Sequence, residues 1–281
     1  MPNTSVSTAA FGWHRSKVDL PALLGPLGLA CREAGEAIRA VRSRGFAVEH
    51  KGDASPVTEA DRAAEAIILA ALARHAPGVP VVAEEEVAAG RIPELGSAFF
   101  LVDPLDGTRE FVRGGDDYTV NIGLVSGGSP VLGLVLAPEQ ERLWAGVVGG
   151  EAWVEDAGRQ RRPLRVRSPG NPLTVVASKS HMNEATRRFL AAELPEAEHV
   201  SVGSSLKFCL LAEGSADYYP RLSPTSEWDT AAGHAVLIAA GGRVDGLNGA
   251  PLAYGKPSFF NPGFAATSGW QGPRLERFLA V

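Results

Sequence analysis

A chain of 281 residues that is 45% hydrophobic can bury one large core or two compact ones, which excludes wholesale disorder. Its 32 acidic and 27 basic residues leave a formal charge of -5, so no net basic field draws in DNA or RNA, and a nucleic-acid partner is disfavoured. No run approaches the roughly 20 apolar residues of a membrane span, the amino terminus lacks a secretory pattern, and Cys31 and Cys209 show neither metal-ligand nor redox spacing, so a soluble cytoplasmic protein with reduced core thiols is expected.

Apolar residues at Leu23, Leu24, Leu27, Ala30, Ala34, Ala37, Ile38 and Val41 recur with helical spacing. They predict a long helix from Leu20 to about Arg42, with a first half weakened by glycines and Pro26. A second helix is predicted from Thr58 towards Arg74, stopped by His75-Ala76-Pro77-Gly78. Short apolar runs at 79–83, 99–102, 118–125, 131–136, 143–148 and 152–154 then predict strands joined at hairpin-like spacing. The five arginines between Arg159 and Arg167 read as a solvent-facing hairpin without a role. They lead into Ser168-Pro169-Gly170-Asn171-Pro172, which is taken as the connection between an amino-terminal α+β part (1–165) and a carboxy-terminal α/β part (166–281). Beyond it the pattern predicts strand 173–177, helix 183–193, strand 199–202 and helices 206–212 and 228–240.

Several carboxylates stand at odd places in this pattern. Asp103 ends the run Phe99-Phe100-Leu101-Val102, and Asp106 follows in Pro104-Leu105-Asp106-Gly107-Thr108. A strand followed by a Pro and Gly turn would hold both at one strand end with the Leu105 carbonyl, all hard oxygen donors suited to magnesium. Two like charges so close repel unless a cation lies between them. Glu84 ends another strand, with Glu85 and Glu86 read as solvated neighbours. Asp229, placed at the start of a helix, shares the inner face of Ala232 and Val236, and Asp61 points inward seven residues before Ile68. Each has a plain structural explanation as well: Thr58 and Asp61 fit a capping box, Asp229 suits a helix N-terminus, and Asp-Gly is an ordinary turn. Their joint placement is what favours a polyvalent cation site.

The runs Asp53-Ala54-Ser55-Pro56-Val57-Thr58-Glu59-Ala60-Asp61, Glu84-Glu85, Asp103 to Thr108 and Trp228-Asp229-Thr230-Ala231-Ala232-Gly233 resemble the signature blocks of the inositol monophosphatase superfamily. The resemblance implies a layered α-β-α-β-α fold and magnesium-dependent hydrolysis of a phosphate monoester, with two or three ions and sensitivity to lithium. It implies that Glu84, Asp103 and the Leu105 carbonyl hold one metal, that Asp103, Asp106 and Asp229 hold a second, and that Glu84 helps with a weaker third. It also implies Thr108 and Asp61 as the pair that activates water, while the N–H groups of Gly107 and Thr108 would cradle phosphate oxygens.

The blocks Gly203-Ser204-Ser205-Leu206-Lys207-Phe208-Cys209, Ala212 to Arg221 and Thr119-Val120-Asn121-Ile122 are similar to a narrower branch, the bacterial 3'(2'),5'-bisphosphate nucleotidases. That similarity implies removal of the 3'-phosphate of adenosine 3',5'-bisphosphate to give AMP. A bisphosphate needs a second anion site, for which Lys207 and Arg221 are the candidates, with Ser204, Ser205 and His181 as further substrate contacts. Lys207 also reads as a helix-surface lysine, Arg221 as a surface pair and His181 as a solvated loop residue. An inositol or sugar phosphatase is the alternative within the same chemistry, and a catalytically silent nucleotide sensor the alternative outside it. A small phosphorylated nucleotide is the expected partner, and a homodimer is compatible with the resemblance.

Overall fold

The computed structural model describes residues 19–52, 55–178 and 182–279. Helix α1 (Leu20–Arg44) begins where the Asp19 carboxylate accepts the Ala22 N–H at 3.3 Å and ends at Gly45 with φ of 80°. It continues through Pro26, because a buried face from Leu23 to Val41 packs along its whole length. The small hairpin β1 (Glu49–His50) and β2 (Pro56–Val57) leads into α2 (Glu59–His75). Next come β3 (Val81–Ala83), α3 (Glu84–Ala88), β4 (Ala98–Asp106), α4 (Thr108–Val112), β5 (Thr119–Ser126), β6 (Ser129–Ala137), β7 (Arg142–Val147), β8 (Ala152–Glu155) and β9 (Arg161–Pro163). Strands β3 to β9 form one seven-stranded sheet in chain order, antiparallel except for the parallel pair β3–β4.

The rest of the chain forms β10 (Thr174–Ser178), α5 (Glu184–Glu193), β11 (Glu198–Val202), α6 (Leu206–Ala212), β12 (Tyr218–Arg221), β13 (Thr225–Ser226), α7 (Ala231–Ala239), β14 (Arg243–Gly246), β15 (Phe260–Asn261) and β16 (Phe264–Thr267), followed by a 3-10 turn at Glu276–Phe278. A second sheet has the order β11-β10-β12-β16-β14, and β13 pairs with β15 apart from it. Strands β12 to β16 have no counterpart in the sequence pattern: they are short, and their partners lie far along the chain.

Side-chain alternation along the strands sorts the core into layers. Phe100 and Val102 of β4 and Val120, Ile122 and Leu124 of β5 pack with α1 and α2. The intervening Phe99, Leu101 and Val125 face the other way, onto α6, α7 and the inner side of the second sheet through Phe208, Val236, Val176 and Phe264. That sheet's outer face, with Val175, Tyr218 and Ala265, is covered by Phe189 and Leu190 of α5 and by Leu275. The result is the expected α-β-α-β-α sandwich.

The middle helix layer sits unusually close to the first sheet. Gly123, Gly133 and Gly146 are cross-strand neighbours on β5, β6 and β7, and together they make a trough for α7. A Cβ at Gly133 would lie 2.1 Å from the Ala232 carbonyl oxygen, so only glycine permits this approach.

The basic segment does more than face solvent. Arg161 pairs with Glu155 at 2.9 Å and lies over Trp153, while Arg167 makes two hydrogen bonds, of 2.7 and 2.8 Å, to the fully buried Asp217. Asp217 also accepts the Thr174 N–H, so Arg167 joins the entry of β10 to the chain before β12. The reading of these arginines as role-free is corrected for Arg167, whose guanidinium compensates the buried Asp217 charge.

Candidate active site

Three chain segments bring the carboxylates together. Ala83 pairs with Val102 in the parallel β3–β4 ladder, so Glu84 and Asp103 leave the sheet at the same end. Strand β4 does not stop at Asp103 as expected. It runs on to Asp106, with a register shift between Asp103, opposite Asn121, and Asp106, opposite Thr119. The extra residue is a bulge at Pro104-Leu105, which accommodates a proline without a ladder N–H and re-aims the strand end. Glu84 in turn is the first residue of α3 rather than the last of a strand.

Asp229 reaches the cleft by a different route from the one predicted. Helix α7 starts only at Ala231, because the Thr230 and Ala231 N–H groups close a turn on the Glu227 carbonyl. Asp229 therefore lies in the turn before the helix. Its carboxylate accepts from Thr225 Oγ1 and from the Ser226 N–H, which fixes its direction without help from helical periodicity.

Asp61 serves two partners at once. Its Oδ2 accepts the Thr58 N–H at 2.8 Å, which with the Thr58 side chain accepting from the helix backbone makes the capping box, and it also accepts the Thr58 hydroxyl at 2.8 Å. Its Oδ1 accepts the Thr108 hydroxyl at 3.1 Å, while Thr108 Oγ1 also lies 3.0 Å from the Leu105 carbonyl oxygen. Thr108 opens α4 directly after Gly107, whose φ is 97°; a Cβ there would meet the Asp117 carbonyl oxygen at 2.9 Å.

Glu84, Asp103, Leu105, Asp106, Gly107, Thr108, Ser204, Lys207, Arg221 and Asp229 line one cleft of about 290 Å³. Burial, with the Asp229 charge adding to it against Lys51, pushes the Glu84 carboxyl up to about 7. Burial and then repulsion from Glu84, Asp106 and Asp229 hold Asp103 well above the usual carboxylate range. Asp106 rises to about 6 through burial and the Asp229 charge, opposed by Lys207. Among the described residues, no three acidic, histidine or cysteine side chains are already gathered tightly enough to hold a metal ion. Repulsion among four carboxylates in one cleft makes a cation favourable there. The donors are all hard oxygens, a set that fits magnesium.

The model of the inositol monophosphatase family matches residues 27–272. This chain belongs to that family. The 3'(2'),5'-bisphosphate nucleotidase CysQ of Salmonella typhimurium is 45% identical over 239 residues, covering 84% of this chain and 96% of that protein. The protein of the same description from Escherichia coli K12 is 44% identical over 236 residues, covering 83% and 94%. Among solved structures, CysQ from Bacteroides thetaiotaomicron superimposes with a TM-score of 0.74 at 32% identity, covering 90% of this chain and 98% of that one. The inositol monophosphatase from Anabaena sp. PCC 7120 gives a TM-score of 0.73 at 26% identity, covering 93% and 96%.

Within this family member, the remaining predicted residues fall into three groups. Lys207 is not a helix-surface lysine: it is 2% exposed, donates to the carbonyls of Ser204 at 2.5 Å and Val202 at 3.2 Å, and lies over the Tyr219 ring. Burial draws its pKa down to about 8 against the pull of Asp106. Arg221 lines the same cleft and donates to the carbonyls of Ser223 and Pro224. Ser204 lines it too, with φ of 46°. Ser205 lies behind the lining rather than in it, 3.0 Å from Asp106 Oδ2 and 2.7 Å from the Asp229 carbonyl oxygen. His181 falls outside the described residues, as do Asp53 and Ala54 of the first signature block.

Sequence reasoning gave no role to Lys51 or Glu65. Lys51 Nζ donates to both Glu84 and Glu85 at 2.6 Å, so Glu85 is not a solvated neighbour, whereas Glu86 pairs with Arg91 near the surface. Glu65, 4% exposed, accepts the Glu85 N–H at 2.9 Å and fixes the start of α3. A glutamate on the α2 face shared with Asp61 and Ile68 was the available signal.

Proposed function

We propose that this cleft hydrolyses a phosphate monoester with magnesium, removing the 3'-phosphate of adenosine 3',5'-bisphosphate to give AMP and phosphate. The carrying observation is the Thr108–Asp61 hydrogen bond beside four converging carboxylates, with Lys207 and Arg221 on the same cleft. The high identity to bisphosphate nucleotidases over most of both chains supports the choice of substrate.

Glu84, Asp103 and the Leu105 carbonyl would hold one ion and Asp103, Asp106 and Asp229 a second, with Glu84 contributing to a weaker third. Bound magnesium supplies charge compensation and makes a nucleophile of water near neutral pH. Thr108 gives its single proton to Asp61, which leaves the Thr108 oxygen lone pairs to accept a proton from the attacking water. Threonine alone is too weak a base, so as Thr108 accepts a proton from the water its own proton passes to Asp61, which becomes the neutral acid. The Gly107 and Thr108 N–H groups cradle the phosphate oxygens, and Lys207 and Arg221 receive the 5'-phosphate. The net negative charge fits a small-molecule partner better than a polyanion. Among the described residues no helix is long and apolar enough to cross a membrane. We divide the chain into 1–165, which carries most of the metal ligands, and 166–281, which carries Asp229 and the specificity residues.

Release of free phosphate from adenosine 3',5'-bisphosphate and from inositol 1-phosphate, measured side by side in magnesium, tests the proposal. Preference for the nucleotide is expected, with inhibition by lithium. A much better rate on the inositol ester would move the chain to the inositol phosphatases, and tight nucleotide binding without phosphate release would make it a sensor.

A further inference from the structure

We infer that Asn121 and Ser205 form a positioning unit that aims the Asp106 carboxylate and ties it to the Asp229 turn, and thereby sets the metal affinity of the site. The inference rests on the metal-dependent reading given above. Asn121 is fully buried in β5 between Val120 and Ile122. It stands directly opposite Asp103 in the ladder, on the face that looks towards α6 and α7. Its Nδ2 donates to Ser205 Oγ at 3.0 Å and lies 3.4 Å from Asp106 Oδ2. Ser205 Oγ, 2% exposed as a residue, is 3.0 Å from the same Asp106 oxygen and 2.7 Å from the Asp229 carbonyl oxygen.

The donors and acceptors here can be counted. A serine hydroxyl has one proton and two lone pairs, whereas an amide has two N–H donors and one carbonyl acceptor. With the Ser205 proton shared between Asp229 and Asp106, one Asn121 N–H fills a Ser205 lone pair and the other faces Asp106. Both N–H groups are thus directed at the unit, but Asn121 Oδ1 has no hydrogen-bond partner among the described residues. An unpartnered buried carbonyl is a stability cost that an apolar side chain of the same shape would avoid. A strand that is otherwise apolar from Val120 to Val125 carries that cost at this one position, where the amide reaches a carboxylate of the cleft. Local rules are broken in this way mainly at functional positions. Side chains behind a ligand fix its orientation, and their loss costs roughly 10 to 100-fold in metal affinity.

Three variants test this: Asn121→Leu, Ser205→Ala and the double variant, with Mn2+ binding measured by calorimetry, thermal midpoints measured without metal, and turnover against metal concentration. Asn121→Leu is expected to weaken Mn2+ binding about tenfold or more, to leave the metal-free midpoint unchanged or raised, and to recover most of its turnover at saturating metal. Ser205→Ala is expected to act in the same direction, with the double variant no worse than Asn121→Leu alone, since both act through one carboxylate. Wild-type affinity in Asn121→Leu would overturn the inference, as would a fall in midpoint that accounts for the lost binding, or additive losses in the double variant. A wild-type protein that binds no Mn2+ would overturn the metal-dependent reading itself, and the inference with it.

Discussion

One oxygen of Asp61 caps its helix and the other holds Thr108, so the capping reading and the chemical reading describe the same side chain. Asp106 caps no helix; its Oδ2 accepts from Ser205 and Asn121. Replacing it with Asn removes a charge from the cleft while keeping its shape, and turnover should fall roughly a hundredfold or more, the scale on which a single charge-stabilising group acts; phosphate release at raised magnesium checks this, and normal turnover would remove Asp106 from the ligand set. Lys207 makes a different prediction. Two of its three N–H donors go to backbone carbonyls, which leaves one for an anion in the cleft. Lys207→Met should raise KM for a bisphosphate about tenfold or more, as expected for a lost charge-assisted hydrogen bond of roughly 1.5–3 kcal/mol, and should change KM for a monophosphate ester far less. Equal changes would place Lys207 outside recognition of the second phosphate. The cleft carboxylates were legible from their positions at strand ends and turns. Lys51, Glu65 and Asn121 were not read as site residues, because each acts on a partner distant in sequence, although a fully polar amide inside Val120–Val125 was a visible anomaly.

Elements were easiest to read where their period is regular. Helices α1 and α2 and strands β5 to β8 follow the apolar pattern closely, since both faces of the sheet are buried. Two boundaries shifted for local reasons: a bulge carries β4 past Pro104, and a turn on Glu227 delays α7 to Ala231. The small strands β12 to β16 depend on long-range pairing that no local window contains. The glycines at 123, 133 and 146 were an available signal that went unread, since glycine inside an apolar strand marks close approach of another backbone. Gly133→Ala should force α7 away from the sheet and destabilise the protein by about 1–3 kcal/mol or more, lowering the thermal midpoint by several degrees. Because α7 begins two residues after Asp229, the same variant should also require more magnesium for half-maximal activity. A thermal scan and a magnesium titration on one preparation check both effects, and an unchanged midpoint would mean that the trough does not set the packing distance.

At the scale of the whole molecule, the five layers meet at α7, which touches the first sheet on one side and the elements of the second part on the other. The hairpin neighbours of the first sheet are legible in the strand spacing, whereas the layer order rests on the resemblance. On α7, His234 is 2% exposed, and its Nδ1 lies 2.9 Å from the Tyr254 hydroxyl, which also bonds Thr230. Burial lowers its pKa from 6.5 to about 3. The unfolded chain therefore takes up a proton below pH 6.5 that the folded chain refuses until about pH 3. A neutral buried His234 contributes stability that is fully present above the unfolded value and is lost as pH falls towards the folded one. Compared with His234→Asn, which cannot titrate but keeps a donor for Tyr254, the wild type should lose roughly 2 to 3 kcal/mol more between pH 7 and pH 4.5. Carboxylates that titrate in the same range are common to both proteins and cancel in the difference. Urea unfolding of both at the two pH values measures it, and curves that shift in parallel would mean that His234 is already protonated, or exposed, in the folded state.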